Sequence, residues 1–265
     1  MLRIGFVCPT YNAVELDRYT RRALVSFFDT TPYGVAIVVD DGSQSWTRNY
    51  AQTLQGIVLN YPGAELHIIR FDKPGGLTRS WNAGLALADR LGLTYAISGN
   101  NDVVFTRRWY LGLLHALANG YDLVGPLSNA PGPTAKGLQE IAKYCESYQL
   151  TDDQTKLNAM ADVIHDKYLG QVVESPVNGF FHMATMDSWR KGKYDETHYY
   201  RPVNSVLPSG KINLTPLTTG NEDELQHRWR QKKMLSAIVL SSFIFHYRAV
   251  SRGSAYRRGD WYRQS

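Results

Sequence analysis

The chain has 265 residues, 43% of them hydrophobic and 20% charged, an ordinary globular balance suited to one large α/β domain or at most two small ones. Its longest apolar runs, VAIVV and AIVLSSFIF, are too short to cross roughly 30 Å of hydrocarbon, and its two cysteines, Cys8 and Cys145, give neither a disulfide framework nor metal-type spacing. The net charge of +5 points to an anionic partner and is concentrated from Arg228 onward, through RWRQKK and the tail YRAVSRGSAYRRGDWYRQS.

At the amino end, Met1-Leu2-Arg3 leads directly into the strand-like RIGFVC with no cleavage site, so the expectation is a reduced, cytoplasmic protein. A helix is predicted over residues 15–28, where Leu16, Tyr19, Ala23 and Phe27 approximate a 3.6-residue period. VAIVVD, ELHIIRF and TYAIS read as the second, third and fourth strands, with helices over 47–54 and 77–91. Such strand–helix alternation predicts a Rossmann-like α/β fold, its central sheet mostly parallel with helices on both faces. DLVGP is a fifth strand, and SNAPGPTAKG a loop by its Pro, Gly and Asn content. Residues 138–170 read as helical and polar, VNGFFHMAT as a strand, 187–191 as a short helix and 194–219 as irregular. NEDELQHRWRQKKML is a helix whose acidic start and basic end complement the helix dipole, and SAIVLSSFIFHY closes as a strand. No internal repeat or interdomain linker is visible, so residues 1–265 read as a single domain.

Open α/β sheets bind ligands outside the carboxyl ends of their strands. Polar clusters fall at those places: PTYN after strand one, DDGS after strand two and NND after strand four. Each alone reads equally as a turn, because Asn, Asp and Gly favour turns. Three in succession, each after a predicted parallel strand, point to a binding site.

The order and content of these segments resemble the inverting GT-A glycosyltransferases of glycosyltransferase family 2, over most of the chain. VCPTYN resembles the family's first nucleotide-contacting loop and VVDDGS its second, which implies donor-nucleotide roles for Pro9, Thr10, Tyr11, Asn12, Asp40 and Asp41. DKPGGLTRSWNAG resembles the Gly-rich turn and helix start that approach the diphosphate, implicating Lys73, Gly76, Arg79 and Asn82. GNNDV stands in the place of the metal-binding Asp-x-Asp motif, with Asn101 at the nucleotide and Asp102 as ligand, although Asn100 replaces the usual first acid. FHYRAVS resembles the late segment whose histidine, here His246, completes metal coordination. NEDELQHR resembles the helix that supplies the catalytic base; alignment on Glu224-Leu225 and Arg228 selects Glu222, and alignment on the Glu-Asp dipeptide selects Asp223. SPVNGFF resembles the acceptor side of the sugar pocket, implicating Asn178 and Gly179. The resemblance implies a nucleotide-binding half over 1–125 and an acceptor-binding half with a basic tail over 126–265. It also implies Mn²⁺ or Mg²⁺, a UDP- or dTDP-linked sugar donor, and a carbohydrate, lipid-linked or nucleic-acid acceptor, with peripheral membrane contact compatible with the tail.

The chemistry agrees with those residue types. Breaking an anomeric bond to a diphosphate requires stabilisation of the charge that develops on the leaving group. A hard divalent cation held by oxygen ligands and an imidazole supplies it, and Asp102 with His246 matches that ligand set. A neutral acceptor hydroxyl needs a carboxylate within hydrogen-bond reach to take its proton. Arg79 and Lys73 suit diphosphate, the arginine by a forked contact. Plainer roles compete: His246 as a core histidine between Phe245 and Tyr247, and the acids of Asn221-Glu222-Asp223-Glu224 as helix-dipole partners. The interleaved Arg, Tyr and Trp of the tail would equally fit a nucleic-acid binding module. A sugar-phosphate nucleotidyltransferase would need a Gly-rich loop after strand one, and CPTYNAVE contains no glycine.

Overall fold

In the computed structural model, which describes residues 3–11, 13–132, 135, 137–196, 206, 212 and 221–248, the elements run in chain order. They are β1 (Ile4–Thr10), α1 (Asp17–Thr30), β2 (Val35–Asp40), α2 (Arg48–Val58), β3 (Glu65–Arg70), α3 (Leu77–Arg90), β4 (Tyr95–Gly99) and β5 (Val103–Phe105). There follow α4 (Trp109–Ala118), β6 (Leu123–Leu127), α5 (Gln154–Tyr168), β7 (Val172–Glu174), β8 (Phe181–Thr185), α6 (Met186–Lys191), α7 (Asn221–Gln231) and β9 (Ser236–His246).

Every residue of β1 and β2 is buried, and alternate side chains enter different cores. Phe6, Cys8, Ala36 and Val38 meet Phe27 of α1, Leu54 of α2 and Trp109 of α4. Val7, Val35, Ile37 and Val39 meet Trp81 and Leu85 of α3, Trp189 of α6 and Trp229 of α7. A strand covered on both faces buries every side chain, which is why VAIVVD is a continuous apolar run rather than an alternating one. A third core packs Leu157 and Ile164 of α5 against Ile238, Phe243 and Phe245 of β9.

The strand order is β3-β2-β1-β4-β8-β6-β9-β5, with β7 paired to β9. β3, β2, β1 and β4 are mutually parallel, as are β6 and β9. β8 runs antiparallel to both its neighbours, and β5 and β7 antiparallel to β9. The mostly parallel sheet predicted from the sequence is therefore present, completed by antiparallel strands in its second half. The distal end of β9 leaves β6 and pairs with β5, which sets His246 opposite Val103 and lets the Tyr247 amide donate to the Asp102 carbonyl at 2.9 Å.

Several expectations need correction. Only 154–168 of the predicted 138–170 helix is α-helical, apart from one 3₁₀ turn at Ile141–Lys143. Polar side chains bond locally instead: Thr151 Oγ1 accepts from the Asp153 amide, and Asp153 Oδ1 caps α5 by accepting from the Lys156 amide. The strand predicted from Val177 begins at Phe181, and α7 stops at Gln231, before a positive-φ residue at Lys233. Among residues 194–219 only 194–196, 206 and 212 are described, with Val206 and Ile212 bridged. No helix among the described residues is long and apolar enough to cross a membrane.

Candidate active site

The carboxyl ends of β1, β2 and β4 open into one cleft of about 470 Å³, closed on its far side by 178–180, the start of α7 and the end of β9. Pro9 and Thr10 line it from the end of β1 and Tyr11 from the loop that follows, and Asp41 and Gly76 from the second loop and the Gly-rich turn. Asn101 and Asp102 follow β4, and Asn178, Gly179, Glu222 and His246 enter from the second half of the chain. Asn12 lies outside the described residues.

The adjacent acids of the second loop have different surroundings. Asp40 is fully buried and turned into its own loop, where Ser43 donates to it from both its amide and its hydroxyl. Burial raises its pKa, and the Ser43 hydrogen bonds and the more distant Arg70 oppose that shift. Asp40 does not line the cleft; Asp41 does. Asp41 accepts from the amides of Gly75 at 3.0 Å and Gly76 at 2.8 Å and from Arg79 at 2.6 Å. Gly76 has φ of 92°, a conformation that favours glycine, and this aims its amide at the carboxylate.

Arg79 and Lys73, expected at the diphosphate, are not among the residues that line the cleft. Arg79 donates to the Lys73 carbonyl at 2.6 Å as well as to Asp41, and its guanidinium lies 3.9 Å over the Phe71 ring. It builds the turn. Asn82, buried on α3, also faces away from the cleft: its amide donates to the Tyr194 carbonyl and to Glu196, and its oxygen accepts from the Tyr194 amide.

Asp102 and His246 come together from β4 and β9, both buried, with Oδ1 and Nε2 3.2 Å apart. His246 Nδ1 is 2.8 Å from the Ala130 carbonyl. A carbonyl only accepts, so Nδ1 carries the proton and a neutral ring turns its Nε2 lone pair toward Asp102. Asp102 Oδ1 is buried without a hydrogen-bond partner. With the ring neutral, two lone pairs face each other across 3.2 Å, an arrangement that a hard cation would satisfy. Asn100 stands beside it, its amide 3.4 Å from Nε2. No group of three His, Cys, Asp or Glu side chains able to hold a metal exists among the described residues; Asp102 and His246 are a pair that could contribute two ligands. Asn101 is turned to α1, its amide donating to Thr20 Oγ1 at 3.1 Å.

At the opposite wall the three acids of α7 part company. Glu222 lines the cleft, whereas Asp223 is exposed outside it. Glu224 is buried in a two-pronged pair with Arg228, at 2.8 and 2.9 Å, and Arg228 also donates to the Lys193 carbonyl. The Glu222 side chain lies directly over Gly179, where an added Cβ would come within 2.8 Å of its carboxyl carbon.

Amides that sequence reasoning passed over hold this wall. Gln226 grips Val177 at its amide (2.7 Å) and carbonyl (2.8 Å), and Gln139 accepts from the Asn178 amide and side chain. Arg248 also lines the cleft, at φ of 58°. The bonds of Gln226 to Val177 and of Gln139 to Asn178 leave no local signal, because the partners are distant in sequence. Below the wall, burial lowers the His182 pKa to about 4, so the ring is neutral; its Nδ1 is 2.9 Å from the Tyr194 hydroxyl and its Nε2 3.2 Å from the Val177 carbonyl. The tail beyond Arg248, on which the nucleic-acid alternative rests, lies outside the described residues.

Comparison with known structures places the fold. A crystal structure of S. aureus TarS 1–349 is similar at TM-score 0.52 and 13% identity, covering 93% of this chain and 60% of that one. The same S. aureus protein in complex with UDP gives 0.52 and 13%, over 92% and 60%. A longer S. aureus TarS structure gives 0.54 and 12%, over 99% of this chain and 38% of that one. The chain thus spans 38–60% of the chains it resembles, and at such identity the likeness establishes the GT-A fold alone. No curated protein matches it. The family model described as Glycosyl transferase family 2 matches residues 6–166, more than half of the chain, which therefore belongs to glycosyltransferase family 2.

Proposed function

We propose that the protein moves a sugar from a nucleoside diphosphate donor to an acceptor hydroxyl with inversion at the anomeric carbon. Asp102 and His246 are the protein ligands of a divalent cation, Mn²⁺ or Mg²⁺, and Glu222 is the base. The observation that carries this reading is the orphaned Asp102 oxygen facing the His246 lone pair, across one cleft from Glu222. The UDP complex of S. aureus TarS, a protein of the same fold, supports a UDP-linked donor.

The bound cation would neutralise charge developing on the departing diphosphate. The protein's own residues do the rest. The Asp41-braced turn forms a fixed wall on the donor side, so the donor meets a preorganised surface. Glu222 takes the hydroxyl proton as the acceptor oxygen bonds to the anomeric carbon from the face opposite the diphosphate. The old carbon–oxygen bond breaks and its electron pair leaves with the nucleotide. The acceptor in this reading is a carbohydrate or lipid-linked hydroxyl. Two buried free cysteines accord with a reducing, cytoplasmic setting.

Glu222→Gln and Asp223→Asn separate the base from its neighbour. Transfer should fall about 10²–10⁴-fold in the first, with UDP affinity unchanged, and stay near wild type in the second. Full transfer by Glu222→Gln would overturn the assignment. Salt-sensitive binding of duplex DNA would instead favour a nucleic-acid acceptor.

A further inference from the structure

We propose that Asn129 is a positioning residue for His246, acting with the Ala130 carbonyl to fix which imidazole nitrogen faces Asp102. What that nitrogen serves rests on the metal reading above. Asn129 bonds both backbone groups of His246: its Oδ1 accepts from the His246 amide at 2.8 Å, and its Nδ2 donates to the His246 carbonyl at 3.0 Å. One side-chain amide thus stands in for a neighbouring strand at the end of β9. The next residue, Ala130, accepts the Nδ1 proton at 2.8 Å. The backbone clamp and the tautomer-setting carbonyl are consecutive, so holding one holds the other.

The ring has little other freedom. Phe180 stacks on it at 4.9 Å with planes 16° apart, and on its other side in sequence the Tyr247 amide is tied to the Asp102 carbonyl. A neutral imidazole donates from one nitrogen only. With Nδ1–H committed to Ala130, Nε2 is a lone pair aimed at Asp102 Oδ1, 3.2 Å away. Without the clamp, the ring gains by donating Nε2–H to that unpartnered carboxylate oxygen, the wrong tautomer for a ligand. Metal-bound histidines are held in this way by an acceptor on the far nitrogen, and loss of such support costs about 10–100-fold in metal affinity.

The test uses the full chain with ¹⁵N-labelled histidine and long-range ¹H–¹⁵N correlation, metal-free, at a pH where imidazole is neutral, with His246 assigned from His246→Gln. Wild type should show the Nδ1–H tautomer, and Asn129→Ala should shift toward Nε2–H. In parallel, Mn²⁺ affinity in the presence of UDP should fall about 10–100-fold in Asn129→Ala, while UDP affinity without metal holds. An Nε2–H wild type overturns the proposal even if the variant fails to fold, and so does a variant with unchanged tautomer and Mn²⁺ affinity. If the tautomer shifts as expected but wild type with UDP binds no Mn²⁺, the positioning role stands and the metal reading fails.

Discussion

His246 Nε2 meets Asp102 Oδ1 at 3.2 Å inside the protein. A neutral ring there sets two acceptors face to face, a local cost that an uncharged donor would relieve. Asp102→Asn supplies one: its amide can donate to Nε2, a bond worth about 1 kcal/mol. Scanning calorimetry should show Tm raised by roughly 2–4 °C, while sugar transfer falls at least about 100-fold for want of a charged ligand. A lowered Tm would mean that the two groups form an ordinary ion pair.

Asn100 lines the cleft beside that pair and supplies an amide where a second carboxylate would complete a stronger cation site. With one carboxylate and one imidazole, the protein should bind Mn²⁺ well only when a diphosphate contributes oxygens. Asn100→Asp adds a charge at a few ångströms, so titration calorimetry should register Mn²⁺ binding without nucleotide, tighter than wild type by about tenfold or more. Equal affinity in the two proteins would place the cation elsewhere.

Gly179 gives Glu222 its seat. A methyl group there would press on the glutamate side chain at 2.8–3.0 Å and move its carboxylate. Displacing a catalytic group by about 1 Å costs up to 10²-fold in rate, so Gly179→Ala should lower kcat by about 10–100-fold with UDP affinity intact. Steady-state kinetics with a wild-type kcat would remove Glu222 from the reaction.

Stability should also respond to acid through His182. Its pKa is about 4 in the folded protein against an ordinary 6.5. Between those values the unfolded chain binds a proton that the native ring refuses, so stability falls as pH drops from 6.5 to 4 and is affected no further below that. The contribution is about 3 kcal/mol across the window. Thermal unfolding of wild type and His182→Gln should show a Tm gap that narrows as pH falls through this range. A constant gap would show that His182 does not titrate there.

The features of this protein that are legible in its sequence have local causes. β1, β2 and β4 announce themselves because strands buried on both faces must be apolar throughout, and the polar residues after them stand out by contrast. That contrast locates the cleft. It does not say which of Asp40 and Asp41 faces it, since one peptide unit separates a carboxylate bonded to Ser43 from one bonded to the Gly75–Gly76 turn. β5 has three residues and exists as a strand through its pairing with β9, so no window of sequence reveals it. The apolar run of α4, WYLGLLHALA, offers no polar stripe from which to read a helical period. Asn129, Gln139 and Gln226 are lone amides whose bonds to His246, Asn178 and Val177 span 39 to 117 residues. Contacts of that span leave no periodicity to detect.

The most direct measurement is anomalous diffraction from a crystal of the protein with UDP and Mn²⁺. A manganese peak bridging the diphosphate, within about 2.0–2.6 Å of both Asp102 Oδ1 and His246 Nε2, is the predicted result. A diphosphate bound in the cleft with no manganese at that pair, or with either side chain swung away from it, would contradict the cation site on which the proposed chemistry depends.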